Sequence, residues 1–134
     1  MIVNVKKKFD LSDRTVLLTG AAGLLGKQYA DGLSQCGANV ILADINYSEC
    51  KKMEKELHRK YKCSPVAIRL DIANEKSVMN MVKSIMKQFT SIDILINNAV
   101  FPETKKERSI PFERFPLSIW ERSEEHTSEL QSPM

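Results

Sequence analysis

Four stretches place residues with chemistry at regular intervals: Thr15–Gly26 (TVLLTGAAGLLG), Asp44 closing NVILAD, Asp71 closing PVAIRLD, and Asn97-Asn98 closing IDILINN. In the first, an apolar run meets Thr19-Gly20, and glycines follow at Gly23 and Gly26. Gly20 can take a backbone angle closed to other residues. A helix opening after it would present unpaired N–H groups and the positive end of its dipole, a site for a diphosphate. Gly23 then lets phosphates approach the backbone, and Gly26 lets the helix lie close on its strand. A glycine-spaced turn alone is weak evidence, so the acids that follow decide the reading. Asp44 stands about twenty residues beyond the turn, where a dinucleotide fold places the carboxylate that accepts both hydroxyls of the adenosine ribose. Charge-assisted bonds of that kind contribute roughly 1.5–3 kcal/mol each. The same carboxylate repels a 2′-phosphate, and Ile45, Asn46 and Tyr47 bring no cation to offset it. These residues favour NAD over NADP; the alternative is that Asp44 caps the next helix.

The elements that must hold these residues follow from hydrophobic spacing. After Gly26, Leu25, Tyr29, Leu33 and Cys36 trace one face of a helix that Gly37 closes. Asn39–Asp44 reads as a second strand. A helix with Cys50, Met53, Leu57 and Tyr61 on one stripe follows, then a strand over Pro65–Asp71. Asn74 caps a helix carrying Val78, Met81, Val82, Ile85 and Phe89, and Ile92–Asn98 is a fourth strand. Strand–helix alternation with short links predicts an α/β fold. It is a doubly wound, Rossmann-like parallel sheet with helices on both faces, and as the first half of a dinucleotide fold its strands 1–4 take the order 3-2-1-4. In such a sheet, ligands sit beyond the carboxyl ends of the strands, where all four stretches fall.

Composition bounds the partners. The 134 residues are 43% hydrophobic and 28% charged with a formal net charge of +3, which suits one soluble globular domain. The basic excess is too small to argue for nucleic acid, and Lys6-Lys7-Lys8 reads as a solvated entry to the first strand. No apolar stretch approaches the roughly 20 residues of a membrane span. Cys36, Cys50 and Cys63 are odd in number and lack metal-ligand spacing, so they read as reduced and structural, in a cytoplasmic protein with no metal.

The turn at Thr19–Gly26, then Asp44, Asp71-Ile72 and Asn97-Asn98-Ala99, resemble the short-chain dehydrogenase/reductase family over about Phe9 to Trp120, the first half of a typical member. The resemblance implies a cofactor site of Gly20, Ala22, Gly23, Leu25, Gly26, Asp44, Ile45, Asp71, Ile72, Asn98 and Ala99. By the same resemblance Asp71 holds the adenine amino group and the Ile72 backbone the ring. Asn98 and Ala99 line the ribose, and Asn97 braces the central strands. Two departures stand out: Leu24 occupies a glycine position of the common pattern, bringing the turn closer to TGxxGxxG, and Val100 occupies the glycine that usually ends the fourth motif.

The family's chemistry rests on a serine, a tyrosine and a lysine four residues after it, on elements beyond the fourth strand. The one Tyr-x-x-x-Lys match, Tyr47 to Lys51, follows the Asp44 strand at the adenosine end, and His58 sits in a charged helical stretch; no catalytic residue is assigned. Ser118 and Glu121 spell a capping box for a further helix, but Arg122–Ser132 (RSEEHTSELQS) resembles the in-frame translation of a sequencing adapter. The expectation is therefore that residues 1–121 are the N-terminal half of an NAD-binding domain and 122–134 a non-native tail. The fourth strand would then be a bare apolar edge, and this chain alone inactive and prone to associate.

For the whole gene product the resemblance implies an NAD-dependent alcohol/ketone oxidoreductase, acting on a small molecule, with a sugar-type substrate suggested by the AGLLG turn, and homo-oligomeric. A non-catalytic nucleotide-binding module and an NAD-dependent sugar-nucleotide epimerase or dehydratase are the alternatives.

Overall fold

The structure is a computed structural model and describes residues 3–100, 105–114, 116–119 and 121. Residues 122–134 and Trp120 lie outside these, and with them the tail and the middle of the capping box. A short helix, α1 (Val5–Lys8), precedes β1 (Thr15–Thr19), α2 (Leu24–Gln35), β2 (Asn39–Asp44), α3 (Tyr47–Tyr61), β3 (Val66–Arg69), α4 (Glu75–Gln88) and β4 (Ile94–Ile96). The strands form one parallel sheet in the order β3-β2-β1-β4, as expected for the first half of a dinucleotide fold. No helix among the described residues is long and apolar enough to cross a membrane.

All five residues of β1 are buried, because it lies between β2 and β4 with helices over both faces. Side chains alternate across a strand, so the sheet divides into two cores. Val16, Leu18, Val40 and Leu42 pack with Cys50, Met53 and Leu57 of α3 on one face. On the other, Leu17, Ile41 and Ala43 pack with Val78, Met81 and Ile85 of α4. The stripes read from the sequence for α3 and α4 are the ones buried. Asn46 and Asn74 cap these helices, their side chains accepting from the Glu49 and Ser77 amides.

The face expected of α2 is corrected in its first turns, while Leu33, further along the same stripe, does pack against the first core. Leu25 and Tyr29 are 57% and 42% exposed, whereas Gly26, Ala30 and Ser34 are buried. The buried stripe is one position round from the apolar one because this helix packs close on the sheet, and only small residues fit that gap. A hydrophobic stripe is a poor guide where backbone proximity, rather than side-chain bulk, fills the interface. The end of α2 is as expected: Gly37 (φ +88) donates to the Ser34 carbonyl and Ala38 to that of Leu33, a Schellman closure.

β4 is shorter than the apolar run that encodes it. At its start the Asp93 amide donates to the Thr15 carbonyl, and Asp93 Oδ2 accepts from the Thr15 amide at 2.8 Å. At its end the chain turns out of the ladder toward Thr19, as described below. At the sheet's other side, Glu54 Oε2 accepts the Ala67 amide at 2.6 Å and so occupies an outward donor of edge strand β3.

The packing of α2 makes a direct prediction. Ala30→Leu should cost about 1–3 kcal/mol by overfilling the helix–sheet gap, while Tyr29→Ala should stay within about 0.5 kcal/mol. Urea denaturation of the two variants checks it; a larger loss for Tyr29→Ala would mean that the apolar stripe faces inward after all.

Candidate functional site

The strand-to-helix turn is built by its three glycines, each for a different reason. Gly20 has φ +65, and a Cβ there would also lie 2.8 Å from Ala99 Cα and 2.9 Å from Ala99 N. A Cβ on Gly26 would run into the Gly20 carbonyl and come within 2.8 Å of Ala21 Cα. Gly26 thus lets the first helical turn fold back on the glycine turn itself, a tighter demand than closeness to the strand. At Gly23 an added Cβ would meet only the Gly20 carbonyl, at 3.3 Å, leaving open space in front. Gly23 is also the N-cap of α2 and, unlike Asn46 and Asn74, supplies no side chain to its helix. The amides of Leu24, Leu25 and Gly26 consequently have no protein acceptor among the described residues. Leu24, at the position where the family pattern has glycine, is the first helical residue and 85% exposed, so its side chain projects into solvent without strain.

Behind the turn, Thr19 clasps the end of β4. Its side chain is fully buried. Thr19 Oγ1 accepts from the Asn98 amide at 3.1 Å and the Ala99 amide at 3.0 Å, and donates to the Ile96 carbonyl at 3.3 Å. Asn98 Nδ2 returns the contact, donating to the carbonyls of Thr19 (3.2 Å) and Gly20 (3.1 Å). The brace between the central strands is therefore Asn98 with Thr19. Asn97, expected in that role, has its Oδ1 buried without a hydrogen-bond partner among the described residues.

Asp44 closes the turn from the other side. Its Oδ2 accepts the Ala22 amide at 3.1 Å and its Oδ1 the Asn46 amide at 2.9 Å. The cap of α3 is Asn46, so the alternative of Asp44 as a helix cap gives way to an Asx turn. Each carboxylate oxygen accepts one amide and retains acceptor capacity for one more donor. Asp71 resembles it: Oδ1 accepts from the Ala73 amide at 3.0 Å, and Oδ2 has no protein partner among the described residues.

These groups surround one cleft of about 640 Å³ at the carboxyl ends of the strands, a volume typical of small-molecule sites. Gly20, Gly23 and Leu25 line it from the turn, Asp44 and Ile45 from β2, Asp71 and Ile72 from the end of β3, and Asn98 and Ala99 from β4. Of the residues assigned from sequence, only Ala22 and Gly26 are absent from the lining; the Ala22 amide is taken by Asp44, and Gly26 is buried beneath the turn. Leu24, Leu70, Ala73 and Val100 also line the cleft, and Leu24 and Val100 form an exposed apolar rim that polar-motif reasoning passes over.

The remaining candidates lie elsewhere. Neither Tyr47 nor Lys51 lines the cleft, and Lys51 is paired with Glu54, whose hydrogen bond holds the ammonium above its ordinary pKa. His58 Nδ1 is 2.6 Å from the Cys63 carbonyl, closing the loop after α3. The three cysteines are free, and burial, then the Asp44 carboxylate, pushes the Cys50 thiol up to about 12. No group of acids, histidines and cysteines among the described residues could hold a metal ion. Sequence order hid one cation: Arg69 is the register partner of Asp44 on the adjacent strand, is exposed, and makes no ion pair among the described residues.

A parallel sheet with a glycine turn and an acid at the next strand's end defines a nucleotide-binding fold of the Rossmann type. Comparison with known proteins narrows it: residues 14–125 match the family model for short chain dehydrogenase, and the chain belongs to that family. It is 37% identical over 90 residues to the NADP-dependent 3-hydroxy acid dehydrogenase of Schizosaccharomyces pombe, covering 66% of this chain and 35% of that protein. It is also 37% identical over 87 residues to a diacetyl reductase, (S)-acetoin forming, of Staphylococcus epidermidis, covering 64% of this chain and 33% of that protein. Among solved structures, a short-chain type dehydrogenase/reductase from Mycobacterium marinum shares the fold with a TM-score of 0.76 at 23% identity, over 96% of this chain and 50% of its own. The chain thus spans about a third of the two curated relatives and half of that structure.

The clasp predicts that Thr19→Val, which keeps the shape and removes the hydroxyl, costs about 2 kcal/mol or more by stranding two amides. Thermal or urea unfolding measures this; a near-neutral substitution would mean that the Thr19 hydroxyl does not hold β4.

Proposed function

We propose that the chain carries the NAD-binding half of an oxidoreductase that interconverts a small-molecule alcohol and ketone. The observation behind this reading is the pairing, across one cleft, of unpartnered amides at the start of α2 with the Asp44 carboxylate at the end of β2. The residues present fit the cofactor. The amides of Leu24, Leu25 and Gly26 would hold the diphosphate, and the remaining acceptor capacity of Asp44 would take the ribose hydroxyls. Ile45 and Ile72, which line the cleft, would flank the adenine, and Asp71 Oδ2 would accept from its amino group. The Ile72 side chain packs into the second core, leaving its backbone for the ring. When bound, the nicotinamide supplies hydride transfer; these residues bind and orient it. Names of the relatives, a hydroxy acid dehydrogenase and a diacetyl reductase, support an alcohol/carbonyl substrate. In this reading residues 1–121 are the N-terminal half of the domain and 122–134 are foreign to it. A read of the source DNA across Glu121 tests the boundary, and genomic DNA encoding the tail followed by a stop would refute it.

A second reading, NADP, has its own observation. Arg69 stands in register with Asp44 and faces the same side of the sheet, and the Schizosaccharomyces pombe relative is named NADP-dependent. Calorimetric titration with both cofactors separates the two. The first reading requires NAD to bind tighter, and Asp44→Ala to weaken it by about 2 kcal/mol, roughly 30-fold. Tighter NADP, weakened by Arg69→Ala, establishes the second instead.

A further inference from the structure

Asp44 makes a contact that recognition of a sugar does not require. Its Oδ2 accepts the Ala22 amide at 3.1 Å, while the preceding residue of β2, Ala43, accepts the Ala21 amide through its carbonyl at 3.3 Å. Two consecutive amides of the glycine turn are therefore tied to the last two residues of the neighbouring strand. Immediately beyond them, Gly23 caps α2 and the amides of Leu24, Leu25 and Gly26 have no acceptor among the described residues. The orientation of those amides is set by a turn that would otherwise be anchored mainly through its own Gly23-to-Gly20 bond and the β4 clasp.

We propose that Asp44 is a positioning residue for the glycine turn, so that the sugar and diphosphate parts of the cofactor are recognised through one shared side chain. This rests on the NAD reading of the cleft. In the apo chain the carboxylate is held by two amides, leaving each oxygen capacity for one further donor. A ribose with free hydroxyls adds to that arrangement without disturbing it. A 2′-phosphate pushes the carboxylate away and, with it, the Ala22 strut. Selectivity between the cofactors then has two parts, direct repulsion at the sugar and a slackened diphosphate cradle a residue or two further on. The turn and the acid form one unit although 22 residues separate Ala22 from Asp44.

Two neutral variants isolate the strut from the charge. Asp44→Asn keeps a carbonyl oxygen able to accept the Ala22 amide, and Asp44→Ala keeps nothing. Amide hydrogen exchange in the ligand-free full chain should show Ala22 exchanging about 10-fold or more faster in Asp44→Ala than in wild type, as loss of such a bond implies, with Asp44→Asn close to wild type. Inorganic pyrophosphate, a probe with no sugar, should bind Asp44→Asn about 5-fold or more tighter than Asp44→Ala, although both carry the same charge. Equal pyrophosphate affinities, or an Ala22 rate indifferent to residue 44, overturn the proposal. Should Asp44→Ala fail to fold, the wild-type chain alone decides: Ala22 must exchange about 10-fold or more slower than Leu24, and comparable rates overturn the strut. Failure of wild type to bind NAD while Ala22 still responds to residue 44 removes the reading of the cleft and leaves the strut standing.

Discussion

The structure depends on where the backbone of Gly20 passes. It threads between the end of β4 and the start of α2 with no room for a side chain, 2.8 Å from Ala99 Cα to where its Cβ would be. Hydrogen bonds hold it there from both sides, Asn98 beyond β4 bonding the Gly20 carbonyl and the Thr19 hydroxyl of β1, and Asp44 from β2 bonding the neighbouring Ala22 amide. Because three strands converge on one turn, the parallel order β2-β1-β4 and the geometry of the cleft are the same constraint seen from two directions. Remove the close approach and the turn loses its shape; remove the sheet order and the acid no longer faces it.

Polar groups do most of this positioning, which suits a site at the end of a sheet. The interior of the sheet is held by apolar alternation that any buried β-rich core would share. At the carboxyl ends the ladder stops, and backbone amides that lose their strand partners must find others. Here they find side chains: Thr19 for Asn98 and Ala99, Asp44 for Ala22 and Asn46. At the start of α2, where the cap is a glycine, the amides of Leu24, Leu25 and Gly26 have no protein acceptor among the described residues.

The fold and the location of the site were legible in the sequence because both rest on local signals: short apolar runs, a glycine-spaced turn, and acids at strand ends. What escaped was non-local. The buried face of α2 was misplaced because Gly26, Ala30 and Ser34 are chosen for size, and a search for apolar side chains passes over them. The resemblance gives the brace to Asn97, but Asn98 fills it: neighbouring residues at a strand end point to opposite sides, and only the three-dimensional turn says which one faces Thr19. Arg69 is invisible beside Asp44 in the sequence because 24 residues lie between them in the chain, while the register sets them side by side. Leu24 and Val100, departures from the family pattern, turn out to be exposed at the cleft rim, where a side chain costs nothing in backbone strain.

The central claim is that a turn pinned between β2 and β4 aims the first amides of α2 and the Asp44 carboxylate into one cleft. A crystal structure of the complete gene product with NAD tests it most directly. The account predicts the diphosphate within hydrogen-bond distance of the Leu24 and Leu25 amides, and both ribose hydroxyls on Asp44, with the Ala22 contact intact. A dinucleotide seated elsewhere, or an Asp44 that has swung away from the turn to reach the sugar, would contradict it.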